Sequence, residues 1–261
     1  GWFGFQLSLF WKSAGLAADA VLKMIDAMAT HSDWGIFYGA VSLWQILLYY
    51  SVFAVLLLPR ERLAKKWGLA LAAPMMALVL WGGKMPADGK LKITFVDVGQ
   101  GDSCVIELPN GKVWVVDGGG IRGSDWDIGK FVVAPFLWEK GIHKIETLFL
   151  SHPHHDHYKG LGFLAENFGA KILFENGDPA PEGEIGEWED FLKRVEDGKL
   201  ERRKVTRATA SIEEAGVRAE FLMPRREGTV SHFDTNDNSV VMRLTFGGVS
   251  FLLSGDLMEA G

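Results

Sequence analysis

Uncharged apolar runs dominate the first third of the chain, and short alternations of Val, Ile and Phe fill the remainder. Gly35 to Leu58, GIFYGAVSLWQILLYYSVFAVLLL, carries no charge for 24 residues. A hydrocarbon core needs about 20 helical residues, so the run predicts a transmembrane helix over 35–58. A second uncharged run, Trp67 to Gly83, is 17 residues long, contains Pro74 and is bracketed by Trp67 and Trp81 as interfacial anchors would be. It predicts a shorter span over about 67–83. Between the two, Arg60, Arg62, Lys65 and Lys66 stand against Glu61 alone. That bias assigns the connection to the cytoplasm and everything after Lys84 to the far side. The alternative, two buried helices of a soluble protein, would have to hide Trp44, Tyr49, Tyr50 and Phe53 around a whole helix circumference. In residues 1–29, Leu16, Ala20, Lys23 and Met24 recur at helical intervals among scattered charges, which predicts an interfacial or partly buried helix.

From Leu91 the pattern becomes strand-like. LKITFVDV (91–98), SCVIEL (103–108) and KVWVVD (112–117) predict three antiparallel strands joined by a GQGD turn and a PNG turn. Asp127 to Lys140 carries Ile128, Phe131, Val132, Phe136 and Leu137 at helical intervals, with a bend expected at Pro135. A strand over 145–150 and a helix from about Tyr158 follow. KILFE (171–175) predicts a strand, and Ile185, Trp188, Phe191, Leu192 and Val195 a helix. Residues 217–224, 238–246 and 249–254 return to strands. Two strand-rich blocks separated by helices predict an α/β (α+β) domain of packed sheets with helices outside. Residues 84–90 form the linker between a membrane module, 1–83, and this domain, 91–261.

Charge follows the same division. Residues 1–83 hold six Lys/Arg against four Asp/Glu, the remainder 21 against 29. The soluble portion is therefore acidic, whereas sequence-independent DNA contact relies on Lys and Arg neutralising phosphates. One basic cluster stands out, Lys193, Arg194, Lys199, Arg202, Arg203, Lys204 and Arg207, which reads either as a solvated helix and strand edge or as a phosphate track. Cys104 is the only cysteine and reads as strand packing, not as a thiol nucleophile. The chain opens on Gly and stops just after an SGD turn, so both ends are expected to be cuts.

The chemistry concentrates in Ser151 to Gly160, SHPHHDHYKG, where four of the seven histidines lie. Imidazole nitrogen and carboxylate oxygen suit zinc, and catalytic zinc sites keep a position open for water. Alternate residues in a tight loop point toward one spot, so His152 and His154 suit one metal, and Asp156 and His157 a second about 3.5–4 Å away. That spacing fits a dinuclear hydrolase. A solvated histidine-rich loop is the alternative.

Three strings together, DGGG at Asp117 to Gly120, HPHHDH at His152 to His157 and LLSGD at Leu252 to Asp256, resemble the metallo-β-lactamase superfamily. FVDVGQGDS at Phe95 to Ser103, with the uncharged helices upstream, resembles the extracytoplasmic domain of ComEC-type DNA-uptake channels. The resemblance implies a metallo-β-lactamase αββα sandwich, here preceded by transmembrane helices, with two divalent ions, zinc or else manganese, at one edge of its sheets. It implies that His152 and His154 bind the first ion, Asp156 and His157 the second, that Asp256 bridges them, and that Asp156 also serves catalysis. Asp117 would stand behind the ligands, hydrogen-bonding the histidine loop, or else be an ordinary turn aspartate. His232 falls in the region expected to supply a further ligand, or is an exposed loop histidine. A histidine expected after the SGD turn would lie beyond Gly261. The functional expectation is a metal-dependent phosphodiesterase or nuclease of a multi-pass protein of the cytoplasmic (inner) membrane, its hydrolase domain extracytoplasmic. Its expected partners are single-stranded DNA, the membrane, the rest of the channel and other competence proteins. A non-catalytic DNA-guiding domain and a generic extracytoplasmic hydrolase of small esters or lactams are the alternatives.

Overall fold

The computed structural model describes residues 87–206, 208–224 and 235–258, together with Asp19, Leu22, Lys23 and Tyr50. Of the two compact units into which the chain divides, the first, Gly1–Tyr38, is described only at Asp19, Leu22 and Lys23, which are helical and exposed. Among the described residues no helix is long and apolar enough to cross a membrane. The expected spans at 35–58 and 67–83 lie, Tyr50 apart, outside the described residues.

Strands β1 (Lys92–Phe95), β2 (Cys104–Glu107), β3 (Val113–Val116), β4 (Thr147–Phe149), β5 (Ile172–Glu175) and β6 (Glu201–Lys204) form one sheet in sequence order. β1 to β3 are antiparallel, as expected, and β3 to β6 run parallel. The second sheet is antiparallel, in the order β10 (Val249–Leu253), β9 (Val241–Phe246), β8 (Val217–Met223), β7 (Ile212–Glu214).

The period-2 alternation of the first sheet divides its side chains between two cores. Val105, Val113, Val115, Leu148 and Leu173 face the helices. Their neighbours Cys104, Ile106, Trp114, Phe149 and Phe174 face the second sheet, where Val217, Ala219, Met242 and Leu244 meet them. A sheet buried on both faces cannot show a polar side, which is why these strands read as nearly continuous apolar runs. Phe149 is the hinge of the inter-sheet core, stacked on Phe174 at 5.3 Å and edge-on to Trp114 at 5.6 Å. Cys104 packs there as expected, its thiol pushed up to about 12 by burial.

The helical layer is α1 (Ala134–Glu139), α2 (His155–Asn167) and α3 (Ile185–Asp197). α1 is preceded by a π-helical turn at Gly129–Val133. Pro135 sits in its first turn, where the missing N–H costs nothing, so the expected bend is replaced by the widened turn before it. α3 buries Trp188, Phe191 and Val195 on one stripe, and α2 buries Tyr158, Leu161, Leu164 and Ala165. The outer face of the second sheet carries Arg218, Glu220 and Arg243, paired with one another, and exposed Leu252. The described residues thus contain three layers, α/β/β, and the fourth layer of the expected αββα sandwich is not among them.

Candidate metal centre

The centre forms where β3 and β4 end side by side. Asp117 follows β3 with φ +57, in the left-handed region that Asp tolerates better than most residues. Its N–H donates to the Phe149 carbonyl at 2.9 Å. That turn aims its carboxylate at the loop after β4: Oδ1 accepts the Ser151 N–H at 2.8 Å and Oδ2 accepts from His157 Nδ1 at 3.0 Å. Since a carboxylate only accepts, His157 carries its proton on Nδ1 and presents Nε2 inward. The three glycines after Asp117 let two backbones touch. A Cβ on Gly160 would lie 2.0 Å from the Gly118 carbonyl oxygen, so glycine is required where α2 crosses the loop. The α2 N-terminus is tied down by Glu184, which accepts the His155 N–H and holds its ring Nδ1, each at 2.9 Å.

His152, His157 and Asp256 present ligand atoms within 4.8 Å of one another. His152 and His157 are fully buried, whereas Asp256 is exposed. His157 Nε2 stands 3.4 Å from Asp256 Oδ2 and 3.9 Å from Asp156 Oδ1. His154 reaches His152, Nδ1 to Nε2, at 3.0 Å, and its own Nε2 meets the Thr235 hydroxyl. Asp256 therefore groups with one residue from each expected pair, while His154 and Asp156 flank that group. His232 lies outside the described residues, and His143 is exposed in the α1–β4 connection. Three hydroxyls escaped the sequence reading. Ser151 Oγ contacts His152 Nδ1 at 3.0 Å and His157 Nδ1 at 3.3 Å, Ser239 Oγ lies 3.4 Å from His152 Nδ1, and Thr235 holds His154. Only the small polar composition of TNDNS hinted at the last two, and that composition is equally a turn signal.

The GQGD turn packs against this group. A Cβ on Gly101 would fall 1.8 Å from the Asp156 carbonyl oxygen, and the Asp102 carbonyl accepts the Gly119 N–H at 2.9 Å. Partial desolvation, and then the nearby Asp117, raise the Asp102 carboxyl above its ordinary range. Burial, with the His157 and His154 rings beside it, pushes His152 down to about 2. Burial also opposes charge on His157, but Asp117 at its Nδ1, with Asp256 and Asp156, outweighs it and raises the ring to about 9.

The metallo-beta-lactamase superfamily sequence model matches residues 96–261. The chain belongs to the metallo-beta-lactamase superfamily. A curated relative, ComE operon protein 3 of Bacillus subtilis (strain 168), is 27% identical over 183 residues, covering 65% of this chain and 22% of that protein. The chain thus spans about a fifth of that relative's length. Similar solved structures include the metallo-beta-lactamase fold protein YhfI from Bacillus subtilis, with 15% identity over 60% of this chain and 55% of that one and a TM-score of 0.38. They also include CmlA, a diiron beta-hydroxylase from Streptomyces venezuelae, with 16% identity, 63% and 30% coverage and a TM-score of 0.37. A diphosphatase of the PhnP family shows 17% identity, 58% and 50% coverage and a TM-score of 0.35.

The residues of this metallo-beta-lactamase domain fit a divalent ion. His157 Nε2 is buried with no hydrogen-bond partner. Such a nitrogen costs about 1–3 kcal/mol unless something coordinates it. The 3.4 Å from it to Asp256 Oδ2 matches the edge of about 3.3–3.5 Å between two ligands held tetrahedrally at zinc distances. In the basic cluster three of the seven cations are paired with acids among the described residues. Arg194 joins Asp127 and Glu166, Arg202 joins Glu175 and Arg203 joins Glu201.

Proposed function

We propose that the chain carries a metal-dependent phosphodiesterase or nuclease domain that acts on DNA, single-stranded by preference, entering through a ComEC-type channel. Zinc, or else manganese, is its cofactor. The observation that carries this reading is the convergence of His152, His157 and Asp256, with Asp117 fixed behind His157. The FVDVGQGDS string and the similarity to ComE operon protein 3 support the DNA-uptake assignment. The uncharged runs at 35–58 and 67–83 support multi-pass anchoring in the cytoplasmic membrane with the hydrolase domain outside.

A divalent pair bound here supplies a water acidic enough to ionise near neutral pH and positive charge against phosphoryl oxygens. The chain's own residues prepare that chemistry. Asp117 keeps one proton of His157 on Nδ1 and directs its Nε2 inward. Ser151 spans both buried rings and sets the angle between them. Asp102, Asp117, Asp156 and Asp256 together repel a phosphodiester until cations neutralise them, so substrate entry depends on metal loading. No Ser or Cys nucleophile is required, and the one cysteine is buried with its thiol pushed up to about 12 by that burial.

The test uses the full chain in detergent. Metal content is measured, and cleavage of single-stranded oligonucleotides is followed with zinc or manganese. Metal-stimulated cleavage abolished by His152→Ala with Asp156→Ala supports the reading. Oligonucleotide binding without cleavage would replace it with a guiding role. Hydrolysis of small esters or lactams with DNA left intact would replace the substrate class.

A further inference from the structure

We infer that Asp178, which touches no histidine, is a positioning residue for the His152–His154 half of the centre. The inference rests on the metal-centre reading above. Asp178 follows β5 and is 5% exposed, next to Asn176 at 2%. Among the described residues no Lys, Arg or His pairs with it. Its Oδ2 instead accepts two side-chain amides, from Asn238 Nδ2 at 2.6 Å and Asn176 Nδ2 at 3.2 Å. The Asp178 N–H donates to Asn176 Oδ1 at 3.0 Å, and Asn176 Nδ2 also donates to the Asn238 carbonyl at 3.1 Å.

Asn238 is thereby gripped from two sides, and it ends the 3-10 turn Thr235–Asn238. The turn's other contacts reach the histidines. Thr235 meets His154 Nε2, and Ser239, one residue past the turn, reaches His152 Nδ1. The Val240 N–H then docks on the Ser151 carbonyl at 2.8 Å. The centre has two anchors of different origin: Asp117 holds His157, and Asp178, acting through the turn, holds His152 and His154. Removing the Asp178 carboxylate takes an acceptor from the half-buried Asn238 amide and one of two acceptors from the buried Asn176 amide, and the turn must shift to make up the loss.

The experiment compares Asp178→Ala, Asp178→Asn and Thr235→Val in the full chain. In metal-free protein, ring ¹H–¹⁵N signals, assigned with single His→Gln variants, should move for His152 and His154 in Asp178→Ala and stay in place for His157. Zinc affinity, read by competition with a chelating dye, should weaken about 10–100-fold, the range for partners that orient metal ligands. Asp178→Asn should stay close to wild type, because among the described residues Oδ1 has no donor to lose and an amide oxygen can serve both asparagines. Adding Thr235→Val to Asp178→Ala should cost little more than either alone, since both act through one turn. Equal displacement of the His157 signals, or losses that multiply in the double variant, would overturn the assignment by showing a general disturbance of the fold. Should Asp178→Ala fail to fold, Asn238→Ala removes the same contact and is read in the same way. A wild type that takes up no zinc sinks the metal reading, while the ring signals still decide the role of Asp178.

Discussion

At His157, proton and metal compete for one nitrogen. Nδ1 is committed to Asp117, so the elevation to about 9 concerns the second proton, on the buried Nε2 that an ion needs. Below that value loading must displace a proton. Zinc affinity should therefore tighten close to tenfold per pH unit from about 7 to 9 and flatten above, with near one proton released per ion in calorimetry across buffers of different ionisation enthalpy. An affinity independent of pH over that window would count against the ligand role of Nε2. His152, held neutral down to about 2, adds no such slope. The same shifts set the stability of the metal-free protein. His157 is raised above the ordinary imidazole value of 6.5, so its contribution is full below that value and lost as pH rises through about 9. His152 is depressed, so it costs stability as pH falls below 6.5, where the unfolded chain takes a proton the native ring refuses. The combined contribution should peak near pH 6.5, and melting in chelator with His157→Gln and His152→Gln should remove the alkaline and acid limbs respectively.

Elements meet at this centre by backbone contact, which leaves little freedom to substitute. The Cβ of an alanine at Gly160 would strike the Gly118 carbonyl at 2.0 Å and the Gly129 nitrogen at 2.9 Å, all in elements that cannot yield independently. Gly160→Ala should destabilise by at least the about 1–3 kcal/mol typical of overpacking, measured by denaturant unfolding, and should weaken zinc binding as α2 is pushed off the loop. Retained stability and affinity would show that the crossing of α2 over the loop can open without cost. The apolar runs of β2 to β5 and the stripe of α3 were legible in the sequence because burial on fixed periods leaves a repeated mark. β6, ERRK, was not, because all four residues are exposed on an edge strand and only its parallel pairing with β5 makes it a strand. DGGG, HPHHDH and SGD were legible as chemistry, and so was Asp117 as an anchor. Thr235, Ser239 and Asp178 were not, because their roles depend on contacts 60 to 87 positions apart in a chain where small polar residues otherwise mark turns.

Over the whole molecule, the centre joins the two sheets at one edge. His152 and His157 follow β4 of the first sheet, Asp256 follows β10 of the second, and between them lies the aromatic layer of Trp114, Phe149 and Phe174. An ion held by all three is a cross-link that exists only in the folded state, so it stabilises by mass action, about 2.7 kcal/mol at a hundred times its dissociation constant. For a domain of this size that corresponds to a melting shift of about 5–10 °C. Asp256→Ala removes the second sheet's only ligand among the described residues while leaving both buried rings in place. In that variant zinc should still bind through the histidines, more weakly, and at the same free zinc concentration should raise melting by clearly less than in wild type. Phe149→Ala serves as the control: it should lower stability by about 3–5 kcal/mol through loss of the shared core, yet keep the full increment from zinc. If Asp256→Ala retains the whole increment, the ion is held by the first sheet alone and the two sheets are joined only by their hydrophobic contact.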